Sequence, residues 1–161
     1  MRLSSALLVS SATLAACLSV GCARDVIPNT DVEDSAENRE VVQFVERYRH
    51  ALEERDVSAL LALVSARYYD DNGTPIGTDD IDVDGLRARL AAFHSRVVAV
   101  RYEIRYRRVT FTTNDRVLVD YTYTGSFRVT TSEGERWSRR LADNRIVLGR
   151  EGGELRILSG L

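Results

Sequence analysis

The sequence predicts an α+β domain in which three N-terminal helices pack in the concave face of a strongly curved antiparallel sheet of about four long strands. Two observations predict this class. Apolar residues recur at helical spacing up to residue 98, which is typical of amphipathic helices. After residue 100 they alternate with polar residues in runs rich in Val, Ile, Thr and Tyr, which is typical of strands. Helices followed by a meander of strands give an α+β layout.

Each predicted helix begins at an acidic residue that can cap it. Asp34 caps the first helix, which extends to about Arg55, and Asp56 caps a second helix over 57–64. A turn-rich acidic loop covers 70–84, and Asp84 caps a third helix over 85–98. The apolar stripes of the first and third helices consist of Val41, Phe44, Val45, Tyr48, Leu52, Leu86, Leu90, Phe93 and Val97.

Four strands are predicted over 101–112, 116–130, 135–149 and 154–159. Turn signals separate them at Asn114-Asp115, at 132–134 and at Gly152-Gly153. One face of the second strand carries Val117, Val119, Tyr121, Tyr123, Phe127 and Val129. Because alternate residues of a strand share a face, we expect this face to meet the helices.

Residues 1–16 are typical of a bacterial lipoprotein signal peptide, with a positive start and a short apolar run. Two cysteines follow, and the residues before each resemble the lipobox that precedes a lipid-modified Cys. Leu14 stands three positions before Cys17, whereas Ser19 stands three positions before Cys22. The apolar residue fits better, so we predict cleavage and lipid attachment at Cys17, with Cys22 as the alternative.

The predicted anchor places the protein in the bacterial cell envelope, attached to the membrane through its N-terminal lipid. Neither Leu18 nor Ala23 is Asp, which by analogy with enterobacterial sorting favours the periplasmic face of the outer membrane. The polar, acidic stretch 17–36 predicts a flexible tether, and 37–161 predicts the domain.

Composition excludes several function classes. All 22 basic residues are Arg, so lysine Schiff-base chemistry and a phosphate-loop lysine are excluded. The formal net charge of −2 argues against nucleic-acid binding. Both cysteines belong to the N-terminal segment, so the domain holds no disulfide and no Cys-ligated metal. We expect no cofactor.

The order of elements, together with DVSAL at 56–60, YYDD at 68–71, Trp137 and GELRILSG at 153–160, resembles the nuclear-transport-factor-like superfamily, the polyketide-cyclase-like cone fold. The resemblance extends to its bacterial lipoprotein members of unknown role. Leu155 stands where family members often have Trp. The resemblance implies a cone with a pocket at its open end. Ketosteroid isomerases, scytalone dehydratases and limonene epoxide hydrolases use that pocket for chemistry, and many relatives use it for binding alone.

Eight side chains are candidates for lining such a pocket: Tyr69, His94, Tyr102, Tyr121, Tyr123, Trp137, Arg139 and Asp143. Apolar walls with a few polar groups suit a small hydrophobic ligand. Alternatively, the aromatic residues fill the core and His94 is a hydrogen-bonded boundary residue.

Two polar patterns are candidates for chemistry. Arg139 and Asp143 share a strand face, so they are either a base with a charge-stabilising partner or a structural ion pair. The loop Asp79–Gly85 contains the D-x-D-x-D-G opening of a calcium loop, but Ala91 stands where the closing Glu belongs. We therefore assign no catalytic residue and no metal site.

We therefore expect a membrane-anchored domain that binds a small hydrophobic ligand or a protein partner without catalysis. The alternative is an isomerase, dehydratase or hydrolase of the cone fold acting on a small hydrophobic substrate. A homodimer through the sheet is a third hypothesis, although the alternating charges of Arg101, Glu103, Arg105 and Arg107 also suit a solvated face.

Overall fold

Three helices precede a four-stranded antiparallel sheet in the computed structural model, which describes residues 25–161. The helices are α1 (Ala36–Glu54), α2 (Val57–Ala62) and α3 (Val83–Arg96). The strands are β1 (Tyr69–Asp70), β2 (Ile81–Asp82), β3 (Val97–Phe111), β4 (Arg116–Thr131), β5 (Gly134–Glu151) and β6 (Glu154–Ser159). This arrangement confirms the predicted fold class. The predicted signal peptide and both cysteines lie outside the described residues.

The main sheet has the order β3-β4-β5-β6, with every neighbouring pair antiparallel. Residues 117, 119 and 121 of β4 are buried against the helices, so the odd-numbered residues of β4 face inward, on what we call the concave face. Cross-strand pairing of Val119 with Ile146 then assigns the even-numbered residues of β5 to the same face. Odd-numbered residues of β5 lie on the convex face.

Strand β5 is much longer than its neighbour β6. Only residues 147–151 of β5 pair with β6, at the end of β5 that lies over the core. Within residues 25–161, no strand pairs with the outer edge of β5 from Gly134 to Ile146. Strand β3 pairs with β4 as far as Val97 opposite Val129, so β3, β4 and β5 together extend beyond β6. We call this three-stranded part of the sheet the projecting arm; its end is the turn between Thr131 and Gly134.

Helix α1 packs its apolar stripe against β3. Val41, Phe44 and Val45 are nearly inaccessible to solvent, as the helical spacing predicts. The N-cap is Ser35, whose hydroxyl accepts a hydrogen bond from the backbone N–H of Asn38 (3.1 Å). The predicted cap, Asp34, instead pairs with Arg39.

The predicted acidic loop contains secondary structure at both ends. Asp56 caps α2 as predicted, accepting from the N–H of Ala59 at 2.9 Å. The loop then forms the two-residue strands β1 and β2, which are too short to leave a periodic pattern. Asp82, not Asp84, caps α3, because its carboxylate accepts from the N–H groups of Asp84 and Gly85.

The described part of the predicted tether is tied to the domain instead of being free. Val26 and Glu33 form a β-bridge, and the N–H of Asp31 donates to the carbonyl of Tyr106 on the β3 edge (3.0 Å). Val32 is buried, at 3% exposure. The prediction of a tether over 17–36 is thus wrong from Asp25 onward, because one buried valine and an edge strand outweigh the polar composition.

A single core lies between the helices and the concave face, built from α1, Leu60 of α2, Leu86 of α3 and the middle of each long strand. Within residues 25–161, none of the helices combines the length and the apolar character needed to cross a bilayer.

Candidate functional site

Six aromatic side chains meet on the concave face and form what we call the aromatic cluster: Tyr48, Phe93, Tyr102, Tyr121, Tyr123 and Phe127. The rings of Tyr102 and Tyr123 are stacked with centroids 4.9 Å apart. Phe93 meets Phe127 edge to face at 6.2 Å, and Tyr48 meets Tyr102 in the same way at 6.4 Å. Such offset and edge contacts are the favoured geometries of aromatic pairs.

Burial divides the cluster into a base and a rim. Tyr121 and Tyr102 form the base, at 1% and 4% exposure. Phe93, Tyr123 and Phe127 form the rim and are only partly buried. The rim therefore offers an aromatic surface that a ligand can reach, resting on a base that is closed to solvent.

Hydrogen bonds hold the base in place, and burial keeps its phenols protonated. The Asn144 side-chain amide donates to the hydroxyl of Tyr121 (2.9 Å) and to the carbonyl of Gly160 (3.1 Å). Burial raises the pKa of Tyr121 to about 12, and the bond from Asn144 offsets part of that rise. Burial also raises the pKa of Tyr48 and of Tyr102 far above the ordinary value. At neutral pH these groups can donate a hydrogen bond but cannot act as bases.

Two carboxylates of α1 fix β3 beneath the cluster. Glu53 accepts from the backbone N–H of Tyr102 at 2.8 Å, and Glu46 accepts from the hydroxyl of Tyr106 at 2.7 Å. Arg49 bridges the two glutamates from its position on the same helix. Burial, followed by the bond to Glu46, raises the pKa of Tyr106. This network orients β3. The carboxylates of Glu46 and Glu53 are engaged in these contacts and do not face the rim.

Gly125 makes the packing of the cluster possible. It pairs with Tyr102 across β3 and β4, and the ring of Phe127 lies over it. A Cβ at this position would come within 2.6 Å of the Phe127 ring and 3.3 Å of the Tyr102 ring. The missing side chain lets a base residue and a rim residue meet.

Strand register separates the predicted pocket residues into two groups. Tyr102, Tyr121 and Tyr123 come together on the concave face. Trp137, Arg139 and Asp143 lie on the convex face, since β5 pairs Asp143 with Thr122 and Arg139 with Ser126. Asp143 nevertheless lines a shallow cleft of about 650 Å³ together with Tyr121 and Asn144. Asp143 accepts from the Thr122 hydroxyl (2.6 Å), and Arg139 forms no ion pair within residues 25–161. The predicted ion pair between Arg139 and Asp143 is therefore wrong, whereas the role of Asp143 as a base stays a prediction.

Tyr69 and His94 also lie apart from the cluster. Tyr69 is 55% exposed and donates to Asp80. His94 is exposed and lines a shallow cleft of about 650 Å³ with Glu54, Arg55 and Ala91. Its Nδ1 lies 3.2 Å from the carbonyl of Arg55, whose guanidinium donates back to the His94 carbonyl (2.7 Å). This reciprocal contact joins the end of α1 to α3.

The carboxylates of the acidic loop point to different partners. Asp80 accepts from Tyr69, Asp79 from Thr74, and Asp82 from the first turn of α3. Within residues 25–161, no three His, Cys, Asp or Glu side chains are grouped so that they could hold a metal ion.

Comparison with known proteins assigns the fold. The family model described as the SnoaL-like domain matches residues 45–148. The chain belongs to this family. The match supports the resemblance to the nuclear-transport-factor-like superfamily drawn from the sequence. No curated protein matches the chain.

Solved structures share the architecture of this SnoaL-like domain. A candidate aromatic ring hydroxylase from Novosphingobium aromaticivorans has a TM-score of 0.65 at 14% identity, over 80% of this chain and 89% of its own. A candidate scytalone dehydratase from the same species has a TM-score of 0.65 at 11% identity, over 77% and 80%. A Catenulispora acidiphila protein in complex with S-DNPA has a TM-score of 0.57 at 23% identity, over 80% and 92%. At these identities the likeness concerns the fold.

Four members of the site were not predicted as pocket residues. Tyr48, Phe93 and Phe127 carried a usable signal, because each lies on an apolar stripe that faces the core. Asn144 carried none, since its role depends on the pairing of β5 with β4 and on the approach of the C-terminal residues.

Proposed function

We propose that this SnoaL-like domain is a lipid-anchored extracytoplasmic module that binds a small, flat, apolar ligand at the rim of its aromatic cluster without catalysing a reaction. The observation that carries the proposal is the half-buried surface of Phe93, Tyr123 and Phe127 above a fixed tyrosine base. Such a surface offers stacking and edge contacts to a planar ligand.

The chemistry around the cluster favours binding over turnover. A general acid or base has to reach the substrate with a pKa near neutrality. The carboxylates that share a cleft with Tyr121 are already engaged: Asp143 accepts from the Thr122 hydroxyl, and Asp120 accepts from Arg145. The hydroxyl of Tyr121 and the amide of Asn144 can orient a ligand, but neither takes up a proton at pH 7.

The anchor rests on the sequence of the N-terminal segment. A lipid on Cys17, or on Cys22, would hold the domain at the outer membrane, facing the periplasm. Labelling with a palmitate analogue tests this part: we expect incorporation into the wild-type chain and into Cys22→Ala, and loss of label in Cys17→Ala. Label that persists in both single variants would argue against a specific anchor.

Ligand binding is tested with 8-anilino-1-naphthalenesulfonate, an aromatic probe with an anionic sulfonate group whose fluorescence rises in a dry site. The Phe93→Ala variant should weaken probe binding about tenfold, since it removes one wall of the rim. Tyr69→Ala is the matched control, because Tyr69 is an exposed aromatic residue outside the cluster. Equal affinity in all three proteins would contradict the rim as the site.

An enzyme of the cone fold is the second candidate function, favoured by the structural likeness to a candidate dehydratase and a candidate hydroxylase. Native mass spectrometry of the purified chain separates the two functions. A binding module should release a co-purified compound unchanged after incubation. Conversion of that compound, lost in Tyr121→Phe, would favour the enzyme.

A further inference from the structure

The convex side of the projecting arm carries a surface that the aromatic cluster does not use. We define the arm patch as Arg101, Arg128, Trp137, Arg139 and Leu141. Cross-strand pairing places these residues in adjacent rows: Arg128 opposite Trp137, Arg101 and Arg139 on either side of Ser126, and Leu141 opposite Thr124. Trp137 is 51% exposed and Leu141 is 69% exposed.

The arginines of the arm patch are organised around the indole ring. The guanidinium carbons of Arg101 and Arg128 lie 5.4 Å and 5.9 Å from the centre of the Trp137 ring. The Nε of Arg128 is buried and has no hydrogen-bond acceptor in the described chain. Stacking on Trp137 therefore holds these cations in place.

Charge pairing differs between the two ends of the convex face. Near the middle of β3, Asp31 neutralises Arg105 and Arg107, and on the neighbouring strands Asp120 neutralises Arg145. In the arm patch, Arg128 has one distant partner, Glu135 at 3.5 Å. Within residues 25–161, no carboxylate lies within ion-pairing distance of the other two, Arg101 and Arg139. The patch is therefore cationic, although Glu103 and Glu135 lie at its margin.

We propose that the arm patch rests on an anionic phospholipid surface. Exposed tryptophan, leucine and arginine side chains together suit the headgroup region, where the indole ring is partly inserted and the guanidinium groups meet phosphates. A second copy of the chain suits the patch less well, because an isologous contact would set its arginines against the same arginines of the partner.

The position of the N-terminus allows this contact. Val26 lies beside Arg108 and Val109, seven to eight residues along β3 from Arg101, or about 25 Å. Eight residue steps separate Cys17 from Asp25 and span at most about 27 Å. A lipid on Cys17 can therefore share a bilayer with the arm. Tethering also makes a weak contact sufficient, since it raises the effective concentration of the surface.

The inference rests on the proposed lipid anchor, and the test separates the two. The full-length lipidated chain is reconstituted into two kinds of vesicle. The neutral vesicles are pure phosphatidylcholine, and the anionic vesicles also contain about 30% phosphatidylglycerol, an anionic phospholipid. Because Trp137 is the chain's one tryptophan, its emission reports the arm patch directly. We expect a blue shift and protection from acrylamide in the anionic vesicles, reversed by high salt, and an exposed indole in the neutral vesicles.

Variants locate the effect. Arg139→Gln should weaken the contact about fivefold, the value of one cation near an anionic surface. Arg116→Gln is the matched control, an exposed arginine at the opposite end of the convex face, and should leave protection unchanged. Equal losses of indole protection in both variants would overturn the arm patch as the membrane-contacting surface.

Chains that float with both kinds of vesicle but keep an exposed indole in both retain the anchor and overturn the inference. An indole protected equally in both shows that anionic headgroups are not required and also overturns it. Chains that fail to float with neutral vesicles contradict the anchor. In that case, flotation and indole protection on anionic vesicles would still support the contact of the arm patch with the membrane. Chains that neither float with anionic vesicles nor show a protected indole there would overturn the inference.

Discussion

The carboxylate of Glu53 on α1 accepts a hydrogen bond from the backbone N–H of Tyr102 on β3, at 2.8 Å. β3 is an edge strand, so this N–H has no neighbouring strand to receive it. One helical side chain thus satisfies the strand edge at the residue that forms the base of the aromatic cluster.

Glu53→Ala should lower the free energy of unfolding by about 2 kcal/mol. The change leaves the Tyr102 N–H without its acceptor and removes one partner of Arg49. Glu53→Gln keeps an acceptor oxygen and should cost less. Urea unfolding measures both, with Glu54→Ala, an exposed neighbour, as the control within about 0.5 kcal/mol. A full loss in Glu54→Ala would mean that the effect comes from helix charge.

Gly125→Ala should destabilise the domain by about 1–3 kcal/mol, because the new methyl group would overlap the Phe127 ring. Gly77→Ala is the matched control: its Cβ would meet only Asp80, at 3.6 Å. Thermal unfolding of the two variants gives the comparison. If Gly125→Ala also weakens binding of the naphthalenesulfonate probe, the displaced ring belongs to the ligand surface.

Stability should fall steeply above pH 10. Burial raises the folded-state pKa of Tyr48, Tyr102, Tyr106 and Tyr121 above the unfolded value near 10. The stabilisation is therefore complete below pH 10 and is lost as the pH rises toward and beyond the folded pKa, which for Tyr121 is about 12. Each of these tyrosines lowers the free energy of unfolding by up to about 1.4 kcal/mol for each pH unit in this range.

Denaturant unfolding between pH 8 and pH 11, with tyrosinate absorbance recorded in parallel, checks this. Tyr121→Phe should show a shallower alkaline decline than the wild type. Buried phenols that ionise near pH 10 without unfolding would show that the base of the cluster is open to water.

Val32→Ala should release the segment from Asp25 to Ser35 at a cost of about 2 kcal/mol, since Val32 is its one buried residue. Hydrogen exchange at the Asp31 amide, which donates to Tyr106, reports the release. Val26→Ala removes the same two methyl groups from an exposed position and should change exchange little. Equal exchange in the two variants would place the attachment elsewhere, for example in the ion pairs of Asp31.

Periodicity predicted the fold and half of the site. The inward face of β4 follows from strict alternation, so Tyr121 and Tyr123 were placed correctly with respect to the helices. The position of Asp143 and Trp137 could not be derived in the same way. Their segment of β5 is exposed on both faces and mixes polar and apolar residues, so only its pairing with β4 shows which face each residue takes.

Helix caps were hard to predict for a related reason. Asp34, Ser35, Asp82 and Asp84 can all accept hydrogen bonds from a first turn. Ser35 and Asp82 take that role because the preceding chain is already fixed, by the bridge between Val26 and Glu33 and by the pairing of β1 with β2. Both constraints are tertiary and leave no local signal.

The overhang of β5 beyond β6 has a consequence for solubility. An unpaired strand edge is a template on which further chains can add. Arg136, Arg139 and Arg140 stand along this edge and are exposed, so approaching copies repel one another there. High ionic strength or bound polyanions would weaken that repulsion, and concentrated preparations would then be prone to fibrous association starting from the arm.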